Sequence, residues 1–181
     1  MSRIVLISGS PSEDSRSAKV LDFIGTTLQH EGYDIEKIAV TDIPAEDLMY
    51  GRYDSDSIKR ATETIQKASG IVIASPVYKA AYTGVLKSFL DILPQDILQH
   101  KVVLPIMTGG SPNHLLALTY ALKPVISVLK GHSLNGVYIV DDKIDKESQT
   151  PIIDNAISER IDKQLNYFYE ALQQKGISVY Q

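Results

Sequence analysis

The sequence predicts a doubly wound α/β fold, a parallel sheet of five strands with helices on both faces. Three observations predict it. Short apolar, β-branched runs alternate strictly along the chain with stretches of helical periodicity. Several of these runs are almost wholly apolar, which is what a strand covered on both faces requires. Strands that alternate with helices pair in parallel through helical crossovers, so both kinds of element share one layered core.

The elements follow in order. Residues 3–8 (RIVLIS), 35–40 (IEKIAV), 70–75 (GIVIAS), 101–108 (KVVLPIMT) and 134–140 (LNGVYIV) read as strands. Helical spacing fills 16–31, 56–69, 84–93, 113–129 and 151–174. In the last of these, Ile153, Ile157, Ile161, Leu165, Phe168 and Leu172 recur on one face, the pattern of core packing. Five strands and five helices in this order suggest the flavodoxin-like arrangement, strand order 2-1-3-4-5. At 181 residues the chain is expected to form a single domain, 1–181, around one core.

Composition narrows the function. With a net charge of -4 and no basic stripe, a nucleic-acid partner is not expected. The chain has no cysteine, which removes disulfides, thiol catalysis, iron–sulfur clusters and thiolate zinc together. Any redox chemistry must come from a cofactor. The N-terminus passes from MSR into IVLI, an apolar stretch too short for a signal peptide or a bilayer span, so a cytoplasmic location away from membranes is expected. His30, His100, His114 and His132 are scattered without metal-ligand spacing, and no metal site is expected.

In such sheets ligands bind beyond the carboxyl ends of the strands, near the topological switch point. The first strand ends in SGSPSEDSRS, residues 8–17. Gly9 and Pro11 shape a turn, Ser10, Ser12, Ser15 and Ser17 offer hydroxyls beside the free amides of the next helix, and Arg16 adds a full charge. Together these make a phosphate cradle, although the same serines also serve as ordinary helix caps. Neither GK[ST] nor G-x-G-x-x-G is present, so a phosphate monoester such as FMN suits the loop better than a triphosphate or a pyrophosphate. The third strand runs into SPVYKAAYTG, residues 75–84, where Tyr78 and Tyr82 offer aromatic surface to a planar ring or pack against their neighbours. The fourth ends in TGGSPNH, residues 108–114, where Gly109 and Gly110 let a ligand approach the backbone.

Taken together, GSPxxxSRS, YGRYDS at 50–55, SPVYKAAYTGVLKSFLDILP at 75–94 and KVVLPIMTGGSPNHLLALTYALKPVISVLK at 101–130 resemble the NADPH-dependent FMN reductase family. The likeness is greatest to its branch that supplies reduced flavin to alkanesulfonate monooxygenase, and it runs from about residue 4 to 140. The resemblance implies hydride transfer from NADPH to FMN, with Ser10, Ser15, Arg16 and Ser17 around the phosphate. It also implies that Pro76, Val77, Tyr78 and Lys79 lie beside the isoalloxazine, with Thr108, Gly109 and Gly110 at its polar edge. One position departs from the pattern: many family members carry Arg two residues after the Gly-Ser pair, where this chain has Ser12.

Direct hydride transfer needs two rings held in register and water excluded, so no catalytic side chain is assigned. His114 follows the glycine pair, where capping or polar packing is the expected role; Lys87 and Asp91, four apart, read as a local ion pair or an interface contact. Arg52, in YGRYDS, is a candidate for a partner subunit's flavin or for the NADPH phosphate. The helix at 114–129 is apolar nearly all round and needs cover on its outer side. The resemblance implies that this cover is a second copy, giving a homodimer or homotetramer, and it places at Tyr120 an interface tyrosine that widens one turn to a π-bulge; an ordinary interface helix is the alternative. Three functions then compete. The long sulfonate-like match favours a reductase that exchanges FMN and hands FMNH2 to a partner monooxygenase; the alternatives are a quinone- or azo-type reductase that keeps FMN and, least favoured, a flavodoxin-type electron carrier.

Overall fold

A computed structural model of the chain describes residues 2–178, with side chains through 174. The strands β1 (Arg3–Ser8), β2 (Asp34–Ala39), β3 (Gly70–Pro76) and β4 (Val102–Gly109) pair in parallel in the order β2-β1-β3-β4, and the next sheet position is shared by β5 (His132–Ser133) and β6 (Val137–Val140). This is the predicted 2-1-3-4-5 order. The predicted strand 134–140 differs in detail, because the edge strand breaks at Leu134–Gly136. The break lies opposite Pro105. The amides of His132 and Leu134 bond to the carbonyls of Lys101 and Val103; the donor that would continue the ladder belongs to a proline, which has none. The edge strand bulges there, with Gly136 at φ +76 pressed so close to the Pro105 carbonyl that a Cβ would meet it at 2.3 Å.

Neighbouring residues of the central strands face opposite sides of the sheet, and both sides are apolar. Val5, Ile7, Ile71, Ile73, Val103 and Met107 pack beneath α3 (Asp56–Gln66), α4 (Gly84–Asp91) and α5 (Lys123–Val128). Ile4, Leu6, Val72, Ala74, Leu104 and Ile106 pack beneath α1 (Arg16–His30) and α6 (Asn155–Ser178). In α6, Ile161, Leu165, Phe168 and Leu172 are buried as predicted, whereas Ile153 precedes the helix and is 60% exposed. Burying residues on both faces is the physical content of the apolar strand runs.

A short helix outside the predicted elements, α2 (Ala45–Met49), lies between β2 and α3. It buries Asp47, whose carboxylate accepts a 2.6 Å hydrogen bond from the Ser57 hydroxyl. Hydrogen bonds from Ser57 and Ser55, with the nearby Arg52 guanidinium, hold the Asp47 carboxyl below its usual range. A lowered folded pKa stabilises the native state above the ordinary carboxyl value of about 4, and that stability is lost as pH falls through the lower folded value. Asp47→Asn is therefore expected to flatten the acid-side decline of stability in urea unfolding measured from neutral pH to about pH 3. An unchanged decline would remove Asp47 from the acid response.

The predicted helix 113–129 is three pieces: a 3₁₀ turn (Pro112–Leu115), a π-helical turn (Leu118–Leu122) and α5. Tyr120 sits at the centre of the π turn and is 75% exposed. Leu118, Leu122 and Ile126 face the core, while Leu115, Leu116 and Val128 lie exposed on the single chain. The inner side of the segment is thus buried within the chain.

Candidate active site

Parallel pairing brings the carboxyl ends of four strands to one edge. Ser8 pairs with Ala74, Pro76 with Thr108 and Gly109 with Val140, so the segments after β1, β3, β4 and β6 emerge together. Beyond β1, Gly9 continues the sheet by donating its amide to Ala74 at 2.7 Å. Its missing side chain is required by packing, since a Cβ there would lie 2.6 Å from Leu86 Cδ2.

The serine loop folds back on itself. Ser10 is buried, and its hydroxyl accepts from the Ser12 amide at 3.1 Å. Ser15 caps α1 by accepting from the Ala18 amide at 3.1 Å, and its hydroxyl lies 3.2 Å from that of the fully buried Ser17. Capping by Ser15 leaves the first amides of α1 without intrahelical acceptors, at the positive end of the helix dipole. Arg16 extends into solvent beside them, with no salt bridge among the described residues. Capping and phosphate binding are therefore compatible: the cap shapes the turn and occupies one amide, and the other first-turn donors have no intrahelical acceptor.

The second loop is a two-residue turn. Tyr78 and Ala81 exchange backbone hydrogen bonds of 2.8 and 3.2 Å, and Lys79 and Ala80 between them take φ values of 51 and 65. Both lie in the left-handed region, which costs a non-glycine residue about 1 kcal/mol or more. The turn stands Tyr78 out from the edge, 52% exposed, whereas Tyr82 packs against the core, so the aromatic wall has one tyrosine. Ala80→Gly is expected to raise stability by about 1 kcal/mol by relieving the turn, read as a higher melting temperature. A lower one would show that the turn is not strained.

The third loop is held by Tyr138, whose hydroxyl donates to the Ser111 carbonyl at 2.5 Å. A Cβ on Gly109 would lie 2.6 Å from that hydroxyl and 3.3 Å from Val77 Cβ, so only glycine fits between them. Gly110 is open, with nothing nearer its side-chain position than Asp141 Oδ2 at 3.9 Å. Thr108 is buried, and its carbonyl accepts from the Val77 amide at 2.7 Å, joining the second loop to the third. His114 is in the following 3₁₀ turn, and its buried Nδ1 has no hydrogen-bond partner among the described residues, so the expected polar packing is not found there.

A hollow of about 490 Å³ opens at this edge between Pro11, Leu48, Met49, Tyr78, Thr83 and Val85, a volume in the range of small-molecule sites. Another, of about 540 Å³, lies against α3 and the end of α4 with Lys59, Glu63 and Asp91 in its wall. It contains no residue of the three loops, and its wall mixes charges of both signs; the loop edge is the better candidate. Residues 2–145 match the profile of the family described as NADPH-dependent FMN reductase.

The chain belongs to that family. It is an oxidoreductase that reduces FMN with NADPH. The reductase is 40% identical over 178 residues to the FMN reductase (NADPH) of Escherichia coli K12, covering 98% of this chain and 93% of that one. A Pseudomonas putida FMN reductase (NADPH) is 42% identical over 172 residues, covering 93% and 87%. Among solved structures, the apo form of the NADH:FMN oxidoreductase EmoB superposes with a TM-score of 0.83 at 35% identity, covering 93% of this chain and 88% of that one.

The fold thus gathers Ser10, Ser15, Arg16, Ser17, Pro76, Val77, Tyr78, Lys79, Thr108, Gly109 and Gly110 at one edge of the reductase. Tyr120 is not among them. Arg52 forms ion pairs with Glu46 at 3.2 Å and Asp47 at 3.7 Å, so its guanidinium is engaged within its own chain. Lys87 and Asp91 form the expected i, i+4 pair at 2.6 Å on an exposed helix face. Sequence reasoning missed Thr83, which is fully buried: its hydroxyl donates to the Gly9 carbonyl at 2.5 Å and accepts from the Leu86 amide at 3.1 Å, tying the first loop to the second. A threonine placed just before the helical pattern that begins at Gly84, the position of an N-cap, was the available signal. It also missed Tyr138, and Lys146, which donates to the Asp14 carboxylate at 2.6 Å and to its carbonyl at 3.1 Å across the mouth of the serine loop.

Proposed function

We propose that FMN lies across the three loops as an exchangeable substrate and leaves reduced, for a partner monooxygenase of the alkanesulfonate type. The observation that carries this reading is the identity of about 40% along nearly the whole chain with proteins named for FMN reduction. The loops fit the group. The first-turn amides of α1 and Arg16, which has no salt-bridge partner among the described residues, receive the phosphate, each charge-assisted bond contributing roughly 1.5 to 3 kcal/mol. Ser10, Ser15 and Ser17 hold that turn in shape. Pro76, Val77, Tyr78 and Lys79 flank the ring, and the Gly109–Gly110 backbone meets its pyrimidine edge beside Thr108.

Bound flavin supplies N5 as the acceptor of the hydride from the nicotinamide. The protein's part is orientation and water exclusion; no general acid or base is required. An exposed Tyr78 leaves room for rings to enter and depart, which supports exchange. A second copy of the chain covers Leu115, Leu116, Tyr120 and Val128, and sedimentation of the intact chain as a monomer at micromolar concentration would refute that part.

The functional test is NADPH oxidation under air by flavin-stripped protein titrated with free FMN. Turnover that requires added FMN and saturates with it supports the exchange reading. Protein that purifies yellow, and turns over only with a quinone or dye, replaces it with the prosthetic-flavin reading. Binding without any NADPH oxidation would point to the electron carrier.

A further inference from the structure

Asp141 stands where β6 ends, next to the Val140 that pairs with Gly109, and opens a 3₁₀ turn (Asp141–Lys143). Its Oδ2 is the nearest atom to the side-chain position of Gly110, at 3.9 Å. The side chain is half-buried and makes no hydrogen bond or salt bridge among the described residues. Burial raises its carboxyl pKa, the charge of Arg16 across the cradle pulls it back, and Asp142 raises it again. Five residues on, Lys146 clamps the same segment to Asp14 in the serine loop. Asp141 is thus fixed between the loop assigned to the phosphate and the loop assigned to the ring.

A partly desolvated carboxylate with no protein donor among the described residues is met by water, and a ligand that displaces that water must bring a donor of its own. It cannot be a phosphate ligand, since both groups are anionic. Between phosphate and ring, FMN presents the ribityl chain, whose hydroxyls are donors. We propose that Asp141 is a flavin-binding residue that accepts a hydrogen bond from a ribityl hydroxyl. The inference rests on the placement of FMN given above. Because riboflavin carries the same ribityl chain without phosphate, and lumiflavin carries neither, the contact has a distinctive ligand signature.

Fluorescence-quenching titrations of flavin-free protein with FMN, riboflavin and lumiflavin read that signature. Asp141→Ala is expected to weaken FMN and riboflavin alike by about thirtyfold, as for a charge-assisted hydrogen bond, and to leave lumiflavin unchanged. Asp141→Asn keeps an acceptor oxygen at the same place and is expected to lose less, which guards against a folding defect in the alanine variant. Unchanged affinity for FMN and riboflavin overturns the proposal. So does equal weakening of lumiflavin, which would make the contact one to the ring, and so does tighter binding of FMN alone, which would make Asp141 an opponent of the phosphate. Arg16→Gln in the same series separates the two levels of inference. It is expected to weaken FMN and spare riboflavin; if it leaves FMN unchanged, the placement itself fails and the assignment of Asp141 falls with it.

Discussion

Gly109→Ala is expected to lower FMN affinity by about a hundredfold, close to 2.7 kcal/mol, while leaving the chain folded. The new methyl would sit 2.6 Å from the Tyr138 hydroxyl, so the ring must move and its bond to the Ser111 carbonyl must break. Overpacking of this kind costs about 1 to 3 kcal/mol of stability, and here the strain is released into the segment that meets the flavin. Gly110→Ala is the internal control for folding. Its methyl meets only Asp141 Oδ2, at an ordinary 3.9 Å, and its melting temperature should match that of the unaltered chain. Fluorescence quenching and thermal melts on both variants read the two effects. Undiminished FMN binding by Gly109→Ala would mean that this loop does not contact the flavin.

Thr83→Val is expected to remove about 3 kcal/mol of stability, a fall in melting temperature of roughly 6 to 12 °C. The substitution keeps the shape and deletes the hydroxyl. That leaves the Gly9 carbonyl without this donor and the Leu86 amide without its cap in a fully buried position, each at about 1 to 3 kcal/mol. Because Thr83 joins the serine loop to the start of α4, FMN affinity should fall as well, by more than riboflavin affinity. Thr83→Ser keeps the hydroxyl and should recover most of both losses. A valine variant as stable as the parent would show that the hydroxyl bridges nothing of consequence.

The fold was readable because its cause is local. Strands buried on both faces must be apolar at every position, and that leaves runs such as IVLI and GIVIAS in plain view. The turn chemistry was equally local, so the Gly and Ser positions of all three loops could be named. What escaped depends on partners distant in the chain. Thr83 bonds to a carbonyl 74 residues away, and Lys146 to an aspartate 132 residues away, and neither residue type announces such a partner. Helix α2 has five residues, too few to express a period. The break between β5 and β6 came from a missing amide on the neighbouring strand, at Pro105, rather than from the edge strand's own residues. The π turn at Tyr120 was legible only through the family resemblance, because a wider helical bond leaves no mark in composition.

Everything proposed for the site depends on FMN lying across the loops that follow β1, β3 and β4. A crystal structure of the chain with FMN tests it most directly. The expected result is the phosphate within hydrogen-bond distance of the first amides of α1 and of Arg16, and the ring between Tyr78 and the Gly109–Gly110 backbone. A ring bound in the hollow against α3 and the end of α4, or a phosphate that leaves the serine loop untouched, would contradict it.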